Sequence, residues 1–336
     1  MAFIPSDETK TIGDSTRFDT VPVSEKRFIL AHFSDPHIAC TDQIKWRDII
    51  NKRVLGYLRW KLHRKTEHRN EILASLQKDL QRIKPDHIAI TGDLTHLSLP
   101  SEFKKVRRGL QSLGTPNQVT VVPGNHDTYV RTDWHQTFAC WLDYMVSDPQ
   151  YQQTDSANGV NDLFPTLRVR GQIALIGVCT AHPNTSYLAI GSIGAFQLKK
   201  LETILKQTAS QRLFRIILIH HPPISGMVSW RRRLTDAPAL RRIVARYGTE
   251  LILHGHTHKT ARNTMNIPAG LTPVMGAPSA SSFGRTYDRR ARYYIYKIIR
   301  SGDGWDVNIA ERVYSPNDYR FISGGKQRFY VPAMAG

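Results

Sequence analysis

Five apolar, β-branched runs in this chain are each followed at once by residues able to hold a cation, and that pairing limits what the chain can fold into. "FILAHF" runs into Ser34-Asp35-Pro36-His37, "HIAIT" into Gly92-Asp93, and "QVTVV" into Pro123-Gly124-Asn125-His126-Asp127. "RIILI" runs into His220-His221-Pro222-Pro223, and "ELIL" into His254-Gly255-His256-Thr257-His258. With "IALIGV" at 173–178, these runs read as strands buried on both faces. Amphipathic segments at 69–83, 195–207 and 237–248 read as helices, the last with Asp236 as N-cap, Pro238 in its first turn and Gly248 as its stop. Strands alternating with helices predict a layered α/β fold. Open sheets of that kind collect ligands at the carboxyl ends of their strands, where all five sets fall.

The 336 residues, 40% hydrophobic, suffice for one large core. The expected organisation is a polar tail at 1–26, one domain at 27–314 and a second tail at 315–336. "RYYIYKII", a "RSGDG" turn and "WDVNIAERVY" predict a C-terminal β-hairpin. "APSASSFGRTYDRR" at 277–290 reads either as a mobile lid or as a plain connection. No uncharged apolar run reaches the roughly 18 residues of a membrane span, and the first residues lack a signal-peptide pattern, so the expected location is the cytoplasm. Cys40, Cys140 and Cys179 are odd in number and form no CxxC pair, which leaves His, Asp and Asn as the metal ligands.

One Asp or His after a strand is usually a turn residue, but five such sets in order point to a site. In an extended segment, side chains two apart point the same way. Asp35 with His37, and His256 with His258, are thereby predicted to grip one ion together. Mixed N and O ligation favours Mn²⁺, Fe²⁺ or Zn²⁺ over Ca²⁺ or a dedicated Mg²⁺ cage. A pair of such ions is a known clamp for displacement at phosphorus.

The ordered set D-x-H, G-D, G-N-H-D, H-x-P and G-H-x-H resembles the calcineurin-like metallophosphoesterase superfamily, from about Phe28 to His258. The resemblance implies a four-layer α/β/β/α sandwich with two divalent ions, Mn²⁺ being favoured. One ion would be held by Asp35, His37, bridging Asp93 and His258, the other by Asp93, Asn125, His220 and His256. His220 is chosen over His221 because it fits H-x-P. Attack would come from a metal-bridging hydroxide. His126 would stabilise charge or protonate the leaving oxygen, and Asp127 would hydrogen-bond that imidazole.

Net charge of +18 suits an anionic partner. Residues 45–69, in an insert at about 44–70, hold nine Lys or Arg against two acids. Trp46, Ile50, Val54, Leu58 and Leu62 recur every four residues there, predicting a basic amphipathic helix, weakened at Gly56, that either lies on an anionic membrane at its inner face or packs on the core. Arg231, Arg232 and Arg233 follow the His220 motif closely enough to reach an anionic substrate. The insert resembles, more loosely, hydrolases of UDP-2,3-diacylglucosamine, implying cleavage of a phosphodiester or pyrophosphate bond in a lipid-linked nucleotide. The G-N-H-D and H-H-P-P wording is shared with cyclic-nucleotide phosphodiesterases. A nuclease and a non-catalytic scaffold complete the alternatives, although nucleic acid is the weaker partner because no RRM, helix-turn-helix or zinc-finger pattern is present.

Overall fold

All six of these apolar runs become buried strands in the computed structural model, which describes residues 27–39, 53–54, 67–152, 159–185 and 187–333. The 1–26 tail and nearly all of the basic 45–69 segment lie outside the described residues. One sheet has the order β12-β11-β10-β1-β2-β3 and the other β4-β5-β6-β7-β9-β8. In the first, β1 (Phe28–Phe33), β2 (His87–Thr91) and β3 (Val119–Val122) are parallel. β10 (Arg292–Ser301), β11 (Gly304–Ser315) and β12 (Arg320–Pro332) extend it antiparallel. In the second, β5 (Ile173–Val178), β6 (Phe214–Ile219), β7 (Leu251–His254) and β9 (Gly270–Gly276) are parallel, edged by antiparallel β4 (Thr166–Arg170) and β8 (Ala261–Ile267).

The sheets pack face to face, β2 on β6 and β3 on β5. Four helices complete the four layers: α1 (Asn70–Ile83) and α2 (Pro100–Leu113) against the first sheet, α3 (Ala195–Ser210) and α4 (Ala237–Tyr247) against the second. α1 buries Ile72, Leu76 and Leu80, spaced for one face, and stops at Lys84, whose φ of 51° is left-handed. α2 is too charged to stand out in sequence, yet Phe103, Val106 and Leu110 bury its inner stripe. Asp236 precedes α4 as expected but caps a different segment: its carboxylate accepts from Ile193 and Gly194 N–H at 2.8–3.0 Å.

The C-terminal expectation needs correction. Residues 315–336 are not a tail, because 320–332 form β12, and the predicted hairpin is the first half of a three-stranded meander. β12 is an edge strand, mostly exposed, with a bulge opposite Ala310–Arg312 and two glycines, so it carries little hydrophobic alternation. The first half of the 277–290 segment is tied to the body of the domain, while Arg289 in its exposed second half lines the site cavity described below. Ala280 N donates to Ser34 O at 2.9 Å, Phe283 N to Glu67 O at 2.7 Å, and Ser279, Ser281 and Ser282 are buried.

Arg215 and Glu250 form a buried pair, with Arg215 Nη2 2.8 Å and Nε 2.9 Å from the carboxylate. Glu250→Ala would strand the guanidinium in the core, and a denaturant melt is expected to show a loss of ~3–5 kcal/mol; a loss below ~1 kcal/mol would contradict this.

Burial holds His32 and His87 down at about 3, with repulsion from His254 and from Arg170 and Arg168 adding to it. Both are neutral in the fold, and the unfolded chain binds their protons more tightly. Their contribution to stability is therefore full above about pH 6.5 and lost as pH falls toward 3, at up to ~1.4 kcal/mol per pH unit for each histidine. Chemical melts between pH 7 and 4 are expected to show that fall, with a shallower slope in His87→Gln. An unchanged slope in the variant would contradict the assignment.

Candidate metal centre

The five strand ends meet where the two sheets face each other. The chain leaving β1 runs beside the chain leaving β2: Asp35 N donates to Gly92 O at 3.0 Å, His37 N to Asp93 O at 3.1 Å and Ile38 N to Leu94 O at 2.8 Å. From the second sheet, Gly255 N donates to His220 O at 3.1 Å and His256 N to Asp35 Oδ2 at 3.0 Å. A Cβ on Gly255 would overlap Ser34 Oγ and Asp35 Oδ2, so only glycine lets the two loops approach this closely.

Both two-residue pairs converge, but not through extended backbone as their spacing predicts. Asp35, His37, Asp93, His256 and His258 have φ of 52°, 44°, 53°, 67° and 53°. Each is a non-glycine residue in the left-handed region, at a cost of order ~1–3 kcal/mol. Such strain persists where surrounding hydrogen bonds over-determine the backbone, and it concentrates here on candidate ligands.

Asp35, His37, Asp93 and His258 bring one ligand atom each to within 4.8 Å of one another. His37 Nε2 lies 3.1 Å from His258 Nε2, 3.8 Å from Asp35 Oδ1 and 3.9 Å from Asp93 Oδ2. The other oxygen of Asp93, Oδ1, faces the second set, 3.4 Å from His220 Nε2. His220 Nε2 also lies 3.2 Å from Asn125 Oδ1, and the His256 ring packs on His220 with centroids 5.1 Å apart. Asp35, His37, Asp93 and His258 thus form one cluster of ligand atoms, Asp93, Asn125 and His220 meet beside it, and His256 joins that second group through its ring contact with His220.

Each set fits a cation. Asp35 Oδ1 is buried and accepts no hydrogen bond among the described residues, although His258 Nε2 stands 3.1 Å away, the approach of two atoms that share a cation. One ring nitrogen in each of three histidines faces a backbone carbonyl: His37 Nδ1 that of Thr95 at 3.4 Å, His220 Nδ1 that of Thr91 at 2.7 Å, and His256 Nε2 that of Arg232 at 2.9 Å. A carbonyl only accepts, so that nitrogen carries a hydrogen; in His37 and His256 the opposite nitrogen presents a lone pair, whereas His220 must give up a proton to do so. Burial, followed by repulsion from neighbouring histidines, holds His37 and His256 well below the usual imidazole range, which keeps them neutral. Burial opposes charge on Asp93, but His220 and His126 hold it well below the usual carboxylate range. Burial likewise opposes a proton on His220, yet Asp93 and then Asp35 push it up to about 9.

The GNHD turn divides its work differently from the expectation. His126 lines a cavity of about 590 Å³ with Asp93, Asn125, His256 and His258. Its Nδ1 faces His96 O at 2.7 Å, and its N–H donates to Asp93 Oδ1 at 2.7 Å. Asp127 does not orient the His126 imidazole. Its carboxylate accepts from Gly124, Leu94 and Thr95 N–H and from Thr95 Oγ1, at 2.8–3.2 Å, and so ties the β3 turn to the β2 turn. Burial, and then the Asp93 charge, push its carboxyl up to about 7. A larger cavity of about 990 Å³ opens beside Arg107 and Asp143 and holds none of these ligands.

Of the three arginines, only Arg232 lines the site cavity, and its Nη2 donates to His256 O at 2.6 Å. Arg231 stacks on Trp230, and Arg233 donates to Trp230 O. His221 is buried, with Nδ1 2.7 Å from Thr180 Oγ1 and Nε2 3.1 Å from Ala189 O, a packing role. Two histidines not singled out in sequence, His68 and His96, also line the cavity. His96 stood three residues after Gly92-Asp93, a spacing that was readable, whereas His68 was submerged in a basic run.

Sheet sandwich and ligand sets together define a metal-dependent phosphoesterase. Residues 28–260 match the model of the calcineurin-like phosphoesterase family, and the chain belongs to that family. It is 23% identical over 211 residues to a protein of a Synechococcus strain named probable cyclic nucleotide phosphodiesterase, covering 62% of this chain and 70% of that one. It is 24% identical over 200 residues to a protein of Arcobacter nitrofigilis named probable glycerophosphodiester phosphodiesterase, covering 54% of this chain and 60% of that one. In fold it is similar to a dimetal phosphatase from Danio rerio, with a TM-score of 0.55 and 12% identity over 91% of this chain and 99% of that one. Purple acid phosphatase from yellow lupin (Lupinus luteus) gives a TM-score of 0.54 and 12% identity over 92% of this chain and 54% of that one.

Gly124 is the test of this packing. A Cβ there would overlap the backbone N and carboxylate of Asp93 and press on the His220 ring. Gly124→Ala is expected to keep its circular-dichroism spectrum but bind divalent metal at least ~10-fold more weakly, as for lost orienting partners. Wild-type metal content after dialysis would contradict the geometry.

Proposed function

We propose that the chain hydrolyses the phosphodiester bond of small organic phosphodiesters with two divalent ions, Mn²⁺ being favoured, held on either side of Asp93. The observation that carries this reading is that Asp93 turns one oxygen to His37 and the other to His220. When bound, the ions supply Lewis-acid polarisation of the phosphoryl group and acidify the attacking water.

The chain's own residues do the rest. Asp35, His37 and His258 would hold one side and Asn125, His220 and His256 the other, with the His37, His220 and His256 rings oriented by backbone carbonyls. His126 has Nδ1 on the His96 carbonyl, so Nε2 is the atom that serves the leaving oxygen. Arg232, Lys259 and Arg289 give the cavity rim positive charge, while Tyr129, Leu188 and Val228 give it apolar wall. That mixture suits a phosphodiester with an organic group on each side. The names of the two relatives, one a cyclic-nucleotide and one a glycerophosphodiester phosphodiesterase, support the same bond type. A lipid-linked nucleotide such as UDP-2,3-diacylglucosamine, taken from an anionic membrane, rests on the sequence at 45–69 alone.

Hydrolysis of bis(p-nitrophenyl) phosphate and p-nitrophenyl phosphate, with Mn²⁺ and with chelator, checks the reading. The diester is expected to be cleaved faster, and chelator to abolish turnover. Asp93→Asn is expected to lose activity together with metal. His126→Ala is expected to keep its metal and lose ~10²–10⁴-fold in kcat. Turnover that persists in chelator or in Asp93→Asn would overturn the mechanism. Preferential cleavage of DNA would instead favour the nuclease.

A further inference from the structure

His68 stands beside the metal centre without belonging to either ligand set. It lines the same cavity as Asp93, Asn125 and His126. Its ring meets His37 edge-on with centroids 4.7 Å apart, and that of His258 at 5.9 Å. One nitrogen each from His37, His68 and His258 lies within 4.8 Å of the others. The set containing Asp35 and Asp93 is made with His37 and His258 and leaves His68 out. His68 therefore sits one step beyond the first ion's ligands, on the cavity side of the His37–His258 pair.

The ring is built into its place. His68 forms an antiparallel bridge with Ser282, Arg69 N donates to Ser281 O at 3.0 Å, and the Arg69 guanidinium lies 3.9 Å over the Phe283 ring. His68 Nδ1 lies 2.8 Å from Ser281 Oγ and 3.3 Å from Ser279 Oγ. Ser279 Oγ in turn donates to the carbonyl of Asp35 at 2.6 Å. Two buried hydroxyls thus tie this imidazole to the backbone of a metal ligand, which is how a side chain is held within a few tenths of an ångström of a working position.

We propose that His68 is a substrate-binding residue of this centre, whose Nε2 hydrogen-bonds a phosphoryl oxygen of the phosphodiester beside His37 and His258. The inference rests on the hydrolase reading above. A hydrogen bond to a charged group of this kind corresponds to roughly 10- to 100-fold in affinity.

The test compares Mn²⁺-loaded wild type, His68→Ala and His68→Gln in three measurements: bound manganese, the affinity for inorganic phosphate by calorimetry, and kcat/KM for bis(p-nitrophenyl) phosphate. Thermal melts confirm that each variant folds, and His68→Gln carries the test if His68→Ala does not. Both variants are expected to keep the wild-type manganese content. Phosphate affinity and kcat/KM are expected to fall together by about 10- to 100-fold in His68→Ala, and by less in His68→Gln, whose amide can still donate. Unchanged phosphate affinity and kcat/KM would overturn the proposal and leave His68 a packing residue. Loss of manganese would overturn it by making His68 a ligand. A wild type that holds manganese yet neither binds phosphate nor cleaves the diester would defeat the hydrolase reading itself, whatever the variants do.

Discussion

A carboxylate buried between two sheets, Asp93, is the charge around which this site is arranged. Its side chain is 2% exposed and carries a negative charge that only close partners can sustain. Those partners arrive from three chain segments: the N–H of His126, the imidazole of His220 and the ring of His37. Two of them come from the first sheet's strand ends and one from the second, so the charge links the sheets as well as the two ligand sets. In the proposed reading, cations on both sides would complete what hydrogen bonds alone leave partial, and the buried Asp35 Oδ1, 3.1 Å from His258 Nε2 but accepting no hydrogen bond among the described residues, would face one of them.

The scaffold is rigid where that charge needs it. Parallel strands β1, β2 and β3 end together, and the loops beyond them continue to pair backbone to backbone. This pairing holds Asp35, His37 and Asp93 in left-handed conformations that each would adopt only a small part of the time in isolation. Asp127 and Glu102 act one layer out, both as buried carboxylates accepting backbone N–H groups. Asp127 joins two turns, and Glu102 accepts from His96, Leu97 and Leu99 at 2.9–3.3 Å and so shapes the loop that carries His96. Burial pushes the Glu102 carboxyl up to about 7, the mark of an acid placed for its hydrogen bonds rather than for its exposure to water.

The strands and the convergence of the candidate ligands are legible because both are written in side chains: buried β-branched runs, then Asp, Asn and His in fixed order. What escaped was written in backbone. The carbonyls of Thr91, Thr95 and Arg232 that face the ligand imidazoles have no residue-type signature, and the left-handed turns at Asp35 and His256 look extended when only spacing is read. Asp127 was misassigned for the same reason, since its partners are main-chain N–H groups of residues 94, 95 and 124. β12 was invisible because an exposed edge strand with Gly324 and Gly325 carries no hydrophobic period. Three consecutive arginines looked equivalent on paper, yet a short 3₁₀ turn at Trp230–Arg232 delivers only Arg232 to the cavity.

On the proposed reading, Asp93 would lie between two metal ions. Anomalous diffraction from crystals of the Mn²⁺-soaked protein tests it most directly. Two peaks ~3.5–4 Å apart are expected, one beside Asp35, His37 and His258 and the other beside Asn125, His220 and His256, with one Asp93 oxygen toward each. A single peak, or two peaks with Asp93 outside the space between them, would contradict it.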